Sequence, residues 1–177
     1  VNTLLTGSDM ATFVLVHGAW HGGWCWAPLE RALRGRGHET SAPTLTGLGE
    51  RSHLATPQVT PDTHVLDITS HIAWQGLEDV ILVGHSYGGV IITGVAGRMP
   101  ERVRALVYLD AIVPEESGVS AVAARNPERT ATLRAQLANG DFMVAPDSHP
   151  LPRVPVRPGA AASCRVLVVK PGLPGLV

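Results

Sequence analysis

The chain is poor in charge, in cysteine and in long apolar runs, and each shortage removes a class of function. Charged residues make up 16% of its 177 positions and leave a net charge of −1. Nothing in that balance draws a nucleic acid or an anionic membrane to it. The two cysteines, Cys25 and Cys164, stand far apart in no metal or redox spacing, which fits a reducing compartment. No apolar run approaches the ~18 residues of a membrane span. The N-terminus lacks a basic stretch followed by an apolar one, so a cytoplasmic location is expected.

What is present is a globular composition with 45% apolar residues, enough for one domain with its own core. The organising stretch is Val80 to Gly89, V-I-L-V-G-H-S-Y-G-G. Its four apolar residues read as a buried strand. The G-x-S-x-G of Gly84, Ser86 and Gly88 follows, and then the apolar run Val90 to Ala96, which reads as a helix. Strand, tight turn and helix are the context of a nucleophile elbow, in which the serine hydroxyl stands clear of the end of a sheet. Ser86 is therefore the candidate nucleophile. The Tyr87 backbone N–H, at a helix N-terminus, is a candidate donor to an oxyanion.

Thr12 to Val16 reads as an earlier buried strand, running into His17-Gly18-Ala19-Trp20-His21-Gly22-Gly23. A Gly-rich loop at the carboxyl end of a parallel strand is where such sheets place ligands. The Ala19 N–H is the second oxyanion candidate, and Gly18 lets that backbone approach the reacting carbonyl. His17, His85 and His21 read as residues that brace loops, and Trp20 as a wall of the loop or pocket. Pro28 to Arg34 is expected as a helix, His38 to Ala42 as a short strand, and positions 44–58 as a surface loop in which Glu50 and Arg51 are solvated. Thr60 caps a helix opened by Pro61. On that helix His64, Asp67 and His71 share a face, which suits either solvent or a metal. Val103 to Leu109 is the next strand, and Asp110 at its end lies on the functional face.

Beyond Pro114 the composition changes. Positions 114–145 read as a partial helical cap. Seven of the 14 prolines fall at or after Pro146, so 146–177 reads as an irregular tail in which only Arg165 to Val169 could form a strand. Residues 1–9 read as a disordered extension ahead of Met10.

The H-G-A-W-H-G-G-W loop, the P-T-L-T-G-L-G-E-R loop, the G-H-S-Y-G-G elbow and the Y-L-D-A strand come in one fixed order. Together they resemble the α/β-hydrolase superfamily, in the branch of small esterases related to plant methylesterases and hydroxynitrile lyases. The resemblance implies an α/β fold with a mostly parallel sheet and flanking helices, a core over 10–113, and late strands missing at the C-terminus. It implies Ser86 as nucleophile, with Ala19 and Tyr87 as oxyanion donors. Gly18 matches the small residue typical of the esterase side of the branch. In the family the acid and histidine follow late strands, and here the chain departs from the pattern after about Ala145, as a truncated or frame-altered sequence would. Asp110 is then the candidate acid and His149, the single histidine after Ser86, the candidate base. The expected chemistry is acyl transfer on a small carboxylic ester, with no metal or organic cofactor, impaired by the loss of the usual Asp and His. The alternatives are a non-catalytic small-molecule-binding protein of the same fold and a hydroxynitrile lyase-like activity. The oligomeric state stays open.

Overall fold

The computed structural model describes residues 10–114 and 166–169, together with the helical positions 128, 131, 132 and 135. The extension 1–9, most of the expected cap, and His149 lie outside the described residues. The elements are β1 (Thr12–Val16), α1 (Ala27–Arg34), β2 (Glu39–Ser41), α2 (Pro61–Trp74), β3 (Val80–His85), α3 (Gly88–Arg98), β4 (Val103–Leu109) and β5 (Val166–Val169). The strands form one sheet in the order β2-β1-β3-β4-β5, with β1 to β4 parallel and β5 antiparallel to β4.

The continuous apolar strands make two cores because successive side chains point to opposite faces. Val14, Val16, Val80, Leu82, Leu106 and Tyr108 pack with Val65, Ile68 and Ile72 of α2 and Ile91, Ile92 and Val95 of α3. Ala11, Leu15, Ile81, Val83 and Ala105 form the second core with Trp26, against which Leu29 of α1 packs. Ile68, Ile72, Ile91 and Ile92 have no exposed surface, and each contributes about 2 kcal/mol of burial. Glycine in α3 serves close approach: a Cβ on Gly94 would sit 2.7 Å from Val65 of α2, and one on Gly89 would strike the Ile112 carbonyl. Gly97, by contrast, has open space around it.

The connection through α1 leads to one side of β1, and the connection through α2 leads back to the other. The strand order therefore reverses between β1 and β3. Such a switch point opens a crevice at the carboxyl ends of the two strands, between the loop carrying Gly18 and Ala19 and the one carrying Ser86.

Two expectations need adjustment. Positions 49–54 form a 3-10 helix within the expected surface loop. In the proline-rich tail, Val166–Val169 does take up strand structure, as its β-branched run allows, but pairs antiparallel along β4. Val166, Leu167 and Val168 of that strand are exposed.

Candidate active site

Ser86 follows β3 with φ of 52°, the left-handed region that costs a non-glycine residue roughly 1–3 kcal/mol. Backbone bonds hold it there: the Ser86 carbonyl accepts from the N–H groups of Gly89 (3.1 Å) and Ile112 (2.9 Å). The turn closes so tightly that a Cβ on Gly84 would lie 2.6 Å from the Gly88 carbonyl oxygen, while one on Gly88 would run into the Val16 carbonyl. Both glycines of the motif are required by contact with backbone.

The loop after β1 is shaped by side chains. His17 has no exposed surface. Its Nε2 accepts the Leu45 N–H at 3.0 Å, so the neutral ring carries its proton on Nδ1 and donates it to the Gly18 carbonyl at 2.7 Å. His21 Nδ1 likewise donates to the Ala19 carbonyl at 2.9 Å. A trans peptide directs its N–H opposite its carbonyl, so the grip on the Gly18 carbonyl fixes the direction of the Ala19 N–H. Burial holds His17 below the ordinary imidazole value, against the raising effect of the Gly18 bond. Among the described residues no backbone acceptor takes the N–H of Ala19 or of Tyr87. The two loops meet closely: a Cβ on Gly18 would stand 3.1 Å from the Ser86 Cβ and 3.1 Å from His85 Nδ1.

His85 is half-buried, and its ring lies edge-on to His21 at 6.1 Å and to Trp26 at 6.4 Å. Burial lowers its pKa, the neighbouring His21 lowers it further, and Asp110 raises it. Asp110 follows Leu109, the register partner of His85, so it stands beside Ser86 at the same rim. It is exposed, with φ of 45°. Among the described residues, neither a histidine nor Asp110 is hydrogen-bonded to the Ser86 hydroxyl. The structure thus brings together Ser86, Tyr87, Gly18, Ala19, His85 and Asp110, and His149 falls outside the described residues.

A cleft of about 290 Å³ opens beside the candidate oxyanion donors, lined by Ala19, Trp20, Leu48, Val59, His64 and Tyr87 among others. Its far wall is the 44–59 loop, where Glu50 is exposed and Arg51 half-buried as a surface loop would have them, but the stretch is latched by hydrogen bonds that the sequence did not announce. Glu50 accepts the Thr44 hydroxyl at 2.5 Å, Arg51 donates to the Thr44 carbonyl at 2.7 Å, and Thr44 Oγ1 accepts the Gly23 N–H at 2.7 Å. Asp67 accepts both the Thr46 N–H (2.6 Å) and the Thr46 hydroxyl (2.8 Å). His64 bonds the Thr46 carbonyl at 2.8 Å and the Tyr87 hydroxyl at 2.9 Å. His71 turns to the Ser41 hydroxyl. The shared face of His64, Asp67 and His71 is therefore a set of braces, two of them on one threonine. Their helical spacing announced a common direction, while the loop they grip lies 18 to 21 residues away in sequence. Of the three tryptophans at positions 20–26, Trp26 is core, Trp24 is exposed and Trp20 walls the cleft.

The family model described as the alpha/beta hydrolase family matches residues 13–174. Carbendazim hydrolyzing esterase of Nocardioides sp. (strain SG-4G) is 51% identical over 140 residues, covering 79% of this chain and 57% of that protein. Alpha-hydroxynitrile lyase of Arabidopsis thaliana is 37% identical over 109 residues, covering 60% and 42%. Among solved structures, an extracellular alpha/beta-hydrolase from a Paenibacillus species superposes with a TM-score of 0.64 at 30% identity, covering 74% of this chain and 53% of that one. The chain spans about half the length of these relatives.

Proposed function

Because the chain belongs to the alpha/beta hydrolase family, we propose that the protein is a serine esterase acting on small carboxylic esters. Ser86 attacks the ester carbonyl, the N–H groups of Ala19 and Tyr87 receive the oxyanion, the alcohol leaves, and water releases the acid from the acyl-enzyme. One observation carries this reading: a left-handed Ser86 set against a loop whose Gly18 carbonyl is pinned by His17, which fixes the direction of the Ala19 N–H. The esterase relatives support ester hydrolysis as the reaction class. Gly18, which matches the small residue typical of the esterase side of the branch, favours it over lyase chemistry.

With this reading goes the expectation that turnover is weak wherever no base reaches Ser86. Among the described residues the Ser86 hydroxyl has no imidazole partner, and removing the base of a serine hydrolase costs on the order of a million-fold in kcat. The oxyanion donors and binding alone retain roughly 10³–10⁴ over water. The second reading is a binding protein that keeps the cleft without the chemistry. Turnover of p-nitrophenyl acetate, compared with Ser86→Ala, tests both. A small rate that vanishes in the variant is expected. Ordinary esterase turnover would mean that a base, His149 included, reaches Ser86. Identical rates in the two proteins, with no labelling of Ser86 by a fluorophosphonate, would favour the binding protein.

A further inference from the structure

The cleft beside Ser86 has a hydrogen-bonding polarity that follows from its walls. Among the described residues its lining contains no aspartate, glutamate, lysine or arginine, which suits a neutral group. Two hydroxyls in that lining, those of Tyr87 and Thr46, have their protons already committed. The Thr46 hydroxyl donates to Asp67 at 2.8 Å, and the Thr46 N–H and carbonyl are taken by Asp67 and His64. For Tyr87 the direction is set through His64. A carbonyl only accepts, so His64 Nε2, at 2.8 Å from the Thr46 carbonyl, carries the ring proton. The neutral ring then has a lone pair on Nδ1, and the Tyr87 phenol, at 2.9 Å, donates to it. Burial pushes the Tyr87 phenol far up, which keeps that proton in place. Both oxygens are left with lone pairs to offer and no proton. Thr56 also lines the cleft, and its hydroxyl has no fixed partner among the described residues, so it can donate or accept.

We infer that Tyr87, oriented by His64, together with Thr46, makes this cleft select neutral esters whose bound group carries an N–H or O–H donor. The backbone N–H groups of Ala19 and Tyr87 address the ester carbonyl, and the two side-chain oxygens address the donor beyond it. This rests on the esterase reading for the position of the ester, and it assigns the Tyr87 side chain a specificity role separate from its backbone.

The test uses the full chain carrying Ser86→Ala, so that a bound ester is not hydrolysed, and reads binding by calorimetry at about pH 8. The probes are methyl 4-hydroxyphenylacetate and methyl 4-methoxyphenylacetate, which differ by one donor. The hydroxy ester is expected to bind at least about fivefold more tightly, the worth of one ordinary hydrogen bond. Adding Tyr87→Phe should bring the two within about twofold of each other, and Thr46→Val should narrow the gap less. His64→Ala frees the Tyr87 proton to point into the cleft, so the methoxy ester, an acceptor only, should gain on the hydroxy ester. Equal affinities in the starting protein, a preference that survives Tyr87→Phe, or no binding of either ester would overturn the inference. Fluorophosphonate labelling of Ser86 in the unsubstituted chain reports on the esterase reading independently. Labelling without donor preference sinks only this inference, and donor preference without labelling sinks only the esterase reading.

Discussion

The two loops that flank the crevice present the same kind of group, a backbone N–H with no backbone acceptor among the described residues, but they are built differently. The loop after β3 is shaped by backbone against backbone. Ser86 is forced left-handed, its carbonyl is held by Gly89 and Ile112, and the flanking glycines leave no room for a Cβ. The loop after β1 is shaped by buried side chains. His17 bridges the Gly18 carbonyl to the Leu45 N–H, His21 holds the Ala19 carbonyl, and Thr44 takes the Gly23 N–H. One device is local and needs only small residues. The other draws on partners 21 and 28 positions away.

The contrast predicts opposite sensitivities. The largest effect is expected from His17→Ala. It removes a fully buried ring and strands both the Gly18 carbonyl and the Leu45 N–H, for a loss of about 4 kcal/mol in chemical unfolding. Labelling of Ser86 by a fluorophosphonate should slow as well, because the Ala19 N–H loses its orientation. Next is Gly88→Ala, whose methyl meets the Val16 carbonyl and not a side chain that can yield; about 1–3 kcal/mol of overpacking is expected in the same experiment. Gly18→Ala meets its nearest atoms only at 3.1 Å, so a smaller loss than at Gly88 is expected. Equal costs at the two glycines would erase the distinction between the loops.

Asp67→Ala sharpens the comparison on the outer wall. It leaves the Thr46 N–H and hydroxyl unpaired, and about 2 kcal/mol should be lost, with a weaker grip on esters in the cleft. Acid should act on the side-chain-built loop as well. His17, His71 and His85 all have pKa values lowered chiefly by burial, from an ordinary 6.5. The unfolded chain therefore binds protons that the folded one refuses, so stability is full above about pH 6.5 and falls as the pH drops below it. The melting temperature should be lower at about pH 5.5 than at about pH 7.5; a flat profile would mean that these rings are not held neutral by the fold. The smallest effect is expected at Glu30→Gln, which breaks an α1 ion pair with Arg34 of 2.6 Å far from both loops. It should stay within about 0.5 kcal/mol.

Much of the sheet was legible in the sequence because buried parallel strands are continuous apolar runs. Thr12–Val16 and Val103–Leu109 coincide with theirs, and the Thr60-Pro61 cap opens α2 where expected. The elbow was legible for the same reason that it is rigid: its geometry is dictated within a few residues. The 44–59 wall was not. Thr44, Thr46, Glu50 and Arg51 are polar residues without periodicity, which describes a solvated loop as well as a latched one, and their partners sit on other elements. The antiparallel direction of Val166–Val169 was not legible either, since a strand's side-chain pattern is the same read either way.

By itself, then, the order of residues determined the strands, the left-handed serine between its glycines, and the family. These depend on interactions spanning a few positions or on hydrophobic patterning. Tertiary structure alone decided which histidines are braces, which way the Tyr87 proton points, and that the Thr46 hydroxyl spends its proton on Asp67. Hydrogen-bond direction is set by the partner across space, and that partner is chosen by the packing of α2 and the loops against the sheet.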